Sequence, residues 1–296
     1  MGLLKRSTVL FTQSWSLLRR NPTLAVFPVL SGLAQLVLLA SFVGTMVASG
    51  TFDEVVRSLA TEGERHRHQA VVINHAVVWP MVFGFYVVTF FVQNFFSTAL
   101  VGAALAQFSG RAATLGSGLS LAMSRLPQIL GWTLLSATVG TILQMIAERL
   151  GVVGQVVIRL LGFGWAIATY FVVPVLAAEG VGPVTAVKRS VEVLKGRWGE
   201  SLVLNVGMSA VLTMGSGLIL AGIIMLSFAA YYALQSIVPL GIGLVLAAAV
   251  VMVTLLLGAT VRGVIQAALY SFAKDGSTPA GFDQEALSAA FRPRGK

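Results

Sequence analysis

Between Glu200 and Arg262 the chain runs for 61 residues without one Asp, Glu, Lys or Arg. A hydrocarbon core about 30 Å thick is crossed by about 20 apolar residues in a helix, so this stretch holds two passes with a turn between Ala229 and Pro239. The same measure applied along the chain predicts six spans, at about 24–48, 71–95, 126–147, 160–178, 201–227 and 239–262. No charge lies between Arg20 and Asp53, which makes the first run longer than the apolar region of a cleaved signal peptide, about 7 to 15 residues. After Arg67 the next charge is Arg111, so the second helix is expected to continue past the bilayer to about Phe108, with Gln93 and Asn94 near the inner interface. Pro174, inside the fourth pass, removes one helix hydrogen bond and should bend it.

Composition agrees. Hydrophobic residues make up 56% of the chain and charged residues 10%, against roughly 25% charged in soluble domains. A soluble enzyme is thereby excluded in practice. The expected fold is an all-α polytopic membrane bundle of six transmembrane helices, with residues 1–275 as one domain and 276–296 as a cytoplasmic C-terminal tail.

The net charge of +9 would raise the question of nucleic acid in a soluble protein. Here no nucleic-acid partner is expected, because the cations follow the membrane. Fifteen of the 20 Lys and Arg fall before the first span, between the second and third, between the fourth and fifth, and after the sixth; five fall in the alternate segments. Basic residues are retained on the cytoplasmic side, so both termini are expected there. With no Cys, disulfides, thiolate metal sites and cysteine nucleophiles are excluded.

Each odd-numbered pass is preceded by a short stretch of helical periodicity. Val184, Val187, Val191, Leu194 and Trp198 recur at steps of three and four, with Lys188, Arg189, Glu192 and Lys195 elsewhere on the wheel and Lys188 placed to pair with Glu192. Leu119, Ala122, Met123 and Leu126 form a second stripe, and Phe11, Trp15 and Leu18 a third. All three helices are expected along the inner surface, apolar side in the bilayer and cations toward anionic lipid headgroups. The chain then divides into three units of surface helix, pass, outer loop and pass. Ala103-Ala104-Leu105-Ala106-Gln107-Phe108 echoes Ala267-Ala268-Leu269-Tyr270-Ser271-Phe272 in the same sense.

Two stretches, SWSLLRRNPTLAVFPVLSG (Ser14 to Gly32) and YFVVPVLAAEGVGPVTAVKRSVEVLKGRWGES (Tyr170 to Ser201), resemble an uncharacterised family of prokaryotic six-helix integral membrane proteins. The family pattern is a Phe-Pro near the start of the first span, and a Pro-Val-Leu-x-x-Glu-Gly followed by a Lys-Arg-Ser helix. The resemblance implies a fold and a prokaryotic plasma-membrane location. It implies no activity.

Glu179, directly after the fourth span and before Gly180 and Gly182, stands out among ionisable residues. It is expected to cap the helix beginning near Pro183 or to pair with Lys188 or Arg197, the functional alternative being a proton or cation site at a membrane boundary. Arg262 follows an uncharged run and reads as an interfacial anchor, or as a ligand for an anion or lipid headgroup. Lys188, Arg189 and Arg197 complete the set of candidate interface positions. Gln35, Asn94, Gln144 and Asn205 are expected to bond between helices. Gly44 with Ala48 and Gly102 with Ala106 should permit close helix approach.

In the outer loop, Glu62 with His66 and Glu64 with His68 have i, i+4 spacing, but the pairs lie on different faces with Arg65 and Arg67 between them, so a solvated loop is expected rather than a metal site. No catalytic, cofactor or metal signature is visible. The leading expectation is a non-enzymatic membrane protein acting through helix surfaces and a basic cytoplasmic face on lipids, a protein partner or a second copy of itself. The alternative is a transporter for a small apolar or lipid-like solute.

The absence of Cys makes the orientation directly testable. Cysteines placed singly at Thr61 and Gln235 should react with an impermeant thiol reagent from outside intact cells, and those at Ser117 and Thr185 should not. External labelling of Thr185→Cys would reverse the arrangement.

Overall fold

The apolar runs fold as helices among the described residues, and glycine in the left-handed conformation closes two of them. The computed structural model describes residues 3–50, 52, 75–196, 201–276, 278–284 and 287, and among them there is no strand. In chain order the described helices are α1 (Leu3–Arg20), α2 (Thr23–Ala48), α3 (His75–Phe108), α4 (Leu115–Ser124), α5 (Leu126–Arg149), α6 (Gly151–Ala168), α7 (Val172–Glu179), α8 (Pro183–Gly196), α9 (Ser201–Leu234) and α10 (Val238–Asp275). Thr114 caps α4 through a reciprocal pair of bonds with Ser117, while Gly180 and Gly276 end α7 and α10 in the left-handed conformation.

Six segments are long and apolar enough to cross a membrane, as expected from hydropathy, the fourth being α6 and α7 taken together. α3 and α9 have 34 residues each and α10 has 38. At 1.5 Å per residue these are about 51 and 57 Å long, well beyond the roughly 30 Å of a hydrocarbon core. The continuation of the second pass to Phe108 is thus observed as one unbroken helix, and the sixth pass runs on well past Arg262.

The surplus length is where the protein packs. Ala99 to Ala104 of α3 and most of Val261 to Phe272 of α10, Arg262 excepted, lie in the core with Leu24 and Phe27 of α2, Ile129 and Trp132 of α5, and almost all of α7. The opposite halves of the spans expose Leu33 to Val47, Leu134 to Leu150, Val156 to Phe163 and Leu218 to Leu255. One end of the bundle is a dense block. The other is a set of helices with exposed apolar surfaces. The two echoed alanine-rich segments both fall in the block, where their small side chains let α3 and α10 meet.

The short helices are part of this block. α8 buries Ala186, Ser190 and Leu194, α4 buries Gly118 and Ala122, and α1 buries Ser14, Leu17 and Leu18, all against protein. Their apolar stripes were expected against bilayer, yet among the described members of those stripes Val184 and Met123 are the exposed ones. The cause is close packing. A Cβ on Gly118 would stand 2.5 Å from the Phe27 ring and 2.8 Å from the Ala99 carbonyl, and one on Gly102 would collide with Leu121. Nothing lies within 4 Å of where a Cβ on Gly44 would stand, so the close approach expected at that glycine is not made.

Of the polar residues expected to link helices, Asn94 does so, donating to Thr133 Oγ1 at 3.2 Å in the core. Gln35 instead donates to Ser31 and Gln144 to Glu148, each one turn away on its own helix, because a partner four residues distant shares the same helix face. The Asn205 side chain and the outer loop bearing His66 and His68 lie outside the described residues. After α10 the chain returns to the block: Phe282 meets Phe108 edge-on at 5.8 Å, the Asp283 amide donates to Gln13, and Leu287 is buried.

Two glycine substitutions separate the packed from the open half. Gly118→Ala should destabilise the protein by about 1–3 kcal/mol through overpacking against a backbone carbonyl. Gly44→Ala should be neutral or stabilising by up to about 1 kcal/mol from helix propensity. Thermal unfolding in detergent micelles measures both.

Candidate functional site at the break in the fourth span

Pro174 lacks the amide proton that would bond the Tyr170 carbonyl, and the helix is interrupted just there. α6 ends at Ala168, Thr169 to Phe171 form a turn, and α7 begins at Val172. The expected bend is a complete break, and the groups it frees find side chains. Gln266 of α10 donates to the Tyr170 carbonyl at 2.7 Å, and the Phe171 amide donates to Ser190 Oγ of α8 at 3.0 Å. Phe171 and Ser190 are fully buried, so both bonds satisfy backbone that water cannot reach. The broken span is thereby fastened to the last helix on one side and to the basic helix on the other.

α7 ends at Gly180, whose φ of +64° favours glycine. A second constraint acts at the same position, because the Arg125 guanidinium occupies the space a Cβ would need. The Gly180 carbonyl accepts from Gln128 Nε2 at 3.1 Å. The end of α7 is therefore held from α5 as well, and Glu179 is carried to one fixed place.

There the Glu179 carboxylate, 22% exposed, accepts from the Tyr270 hydroxyl at 2.8 Å and from Lys274 Nζ at 3.3 Å, with Arg189 Nε at 3.8 Å. Arg189 also pairs with Glu192 at 2.9 Å. These side chains and Val193 line a cleft of about 420 Å³ between α7, α8 and α10. Tyr270 forms its floor, with Lys274 lying 5.7 Å above the centre of the phenol ring.

The cations that meet Glu179 are not the ones expected from proximity in sequence. Burial of Ala186, Ser190 and Leu194 fixes the rotation of α8, and Lys188 then lies about 160° around the helix from Ser190, pointing away, while Arg189 lies on the cleft side. For the same reason Glu192 pairs with Arg189 and not with Lys188. Nor does Glu179 cap the Pro183 helix, since its described hydrogen bonds come from side chains. Arg197 lies outside the described residues. Arg262 is exposed on α10 between buried Val261 and Gly263, apart from the cleft lining. Tyr270, Lys274, Gln266 and Ser190 were missed as site residues. Isolated polar side chains inside apolar runs were the only sequence signal for Gln266 and Tyr270.

A family model described as a family of unknown function, DUF6159, matches residues 76–282, a range that includes the break, α8 and the whole cleft. Of the two resembling stretches, Tyr170 to Ser201 falls inside it and Ser14 to Gly32 outside. No curated protein and no solved structure matches the chain.

A substitution series at Glu179 tests the arrangement. Glu179→Gln retains an acceptor for Tyr270 and loses the attraction of two cations, whereas Glu179→Ala loses both. Thermal stability in detergent should fall in that order, with about 1–3 kcal/mol lost for Ala. Unchanged stability in both variants would show that the cluster does not hold α7 to α10.

Proposed function

We propose that this chain, which belongs to the family of unknown function DUF6159, is a non-enzymatic multi-pass protein of a prokaryotic plasma membrane, with both termini cytoplasmic, that binds anionic lipid headgroups with the basic end of its bundle. The same face would meet a protein partner or a second copy. The observation that carries this is the division of labour on α8. Its Ala186, Ser190 and Leu194 face is taken up by the block, and Lys188 and Lys195 stand exposed, joined at the same packed end by Arg19 and Arg20 at the close of α1. Each cation near an anionic leaflet contributes about 1 kcal/mol.

The transporter alternative calls for polar side chains around a shared cavity. Gln35 and Gln144 bond within their own helices and Asn94 bonds to Thr133, which favours the surface-acting reading.

In detergent, added phosphatidylglycerol should raise the unfolding temperature of the full chain more than phosphatidylcholine does. Lys188→Gln with Lys195→Gln should remove about 2 kcal/mol of that gain, and raised salt should reduce the rest. Equal stabilisation by both lipids, insensitive to salt, would overturn the proposal.

A further inference from the structure

The cleft at the end of α7 differs in kind from the basic outer face of α8. Its four charged side chains are two cations, Arg189 and Lys274, and two carboxylates, Glu179 and Glu192, so its charge sums to zero. An anionic headgroup entering it would gain from the cations and lose against the carboxylates. A group carrying both signs would gain at each end. At about 420 Å³ the cleft falls in the range of about 300–1,000 Å³ typical of small-ligand sites.

The pairing inside the cleft leaves capacity for such a group. Lys274 has three donors, and its described partners are Glu179 at 3.3 Å and the Tyr270 hydroxyl at a long 3.5 Å. Arg189 has five, of which one meets Glu192 at 2.9 Å while the approach to Glu179 is only 3.8 Å. Glu192 uses one oxygen and is 61% exposed at the rim. The two cations therefore present open donors toward the space between α8 and α10, and Glu192 presents an open acceptor on the α8 wall beside apolar Val193.

We propose that this cleft binds the phosphoethanolamine group of a membrane lipid, with phosphate oxygens on Lys274 and Arg189 and the primary ammonium on Glu192. The site lies at the ends of the apolar segments Gly154–Glu179 and Val238–Asp275, and a lipid headgroup is the most abundant source of that chemistry at a membrane surface. Glu179, held by Tyr270 at the back, keeps the two cations in place and repels a second anion. A primary ammonium donates hydrogen bonds to a carboxylate and a trimethylated one does not, so the site distinguishes ethanolamine from choline. The proposal rests on the chain lying in a bilayer and is independent of what Lys188 and Lys195 bind.

The test is native mass spectrometry of the full chain released from detergent with equimolar phosphatidylethanolamine, phosphatidylcholine and phosphatidylglycerol. Phosphatidylethanolamine should be retained about tenfold over phosphatidylcholine, the factor that one charge-assisted hydrogen bond supplies. Glu192→Gln, at an exposed position that leaves the fold intact, should abolish that preference, and Lys274→Gln should weaken retention of both zwitterionic lipids. Equal retention of the two, or a preference that survives Glu192→Gln, overturns the proposal. Retention of phosphatidylglycerol alone, lost in the Lys188→Gln, Lys195→Gln variant, overturns it while leaving the basic-face function standing. A parallel thermal-shift measurement with soluble glycerophosphoethanolamine identifies the source: a shift as large as the lipid's overturns the assignment to a lipid, and a much smaller one supports it.

Discussion

One missing proton organises this end of the molecule. Because Pro174 donates no amide, the Tyr170 carbonyl cannot be satisfied within its helix, and a buried unsatisfied carbonyl costs about 1–3 kcal/mol. Gln266 answers that need from α10 and Ser190 answers the neighbouring one at Phe171 from α8. Both bonds are long-range, so a local defect in the fourth span becomes the joint between three helices. The position of Glu179 opposite Tyr270, eight residues after Tyr170's turn closes, follows from that joint, as does the cleft that Glu179 borders.

The block around the joint is held by close contact and buried hydrogen bonds, the two means by which helices of a membrane bundle associate. Here small residues supply the contact: Ala99, Ala103, Ala104, Gly118, Ala122, Ala267 and Ala268 let α3, α4 and α10 approach closely, and at Gly118 a Cβ would collide with the α3 backbone. At Gly263 the space of a Cβ is taken by the Leu100 side chain, 2.6 Å away. Asn94 with Thr133, and the two bonds at the break, add the polar ties.

The spans were legible in the sequence because hydrophobic length is a one-dimensional property, and 61 uncharged residues admit few foldings. The direction a short helix faces was not legible. On α8 the valine stripe and the Ala186, Ser190, Leu194 stripe overlap at Leu194, and the surfaces of α5, α6, α7 and α10 packed against the helix decide between them. That choice moves Lys188 away from Glu179 and Arg189 toward it. The partners of Glu179 that matter most, Tyr270 and Lys274, are 91 and 95 residues distant, a separation at which spacing carries no information without contacts. The Pro174 break was foreseeable in part. That its freed groups would be answered by Gln266 and Ser190 was not, since a lone amide or hydroxyl in an apolar run looks the same whether it bonds across helices or to its own preceding turn, as Gln35 does.

The uneven packing has a mechanical consequence. Helices clamped together at one end and bounded mainly by lipid at the other behave as a bundle of rods held in a collar. When the surrounding bilayer thins or thickens, the free halves can splay or tilt, and hydrophobic mismatch costs only fractions of a kcal/mol per Å. The collar, with its break, its cleft and its charges, keeps its internal geometry throughout. The geometry of the cleft is thereby decoupled from the splaying of the helix halves at the other end.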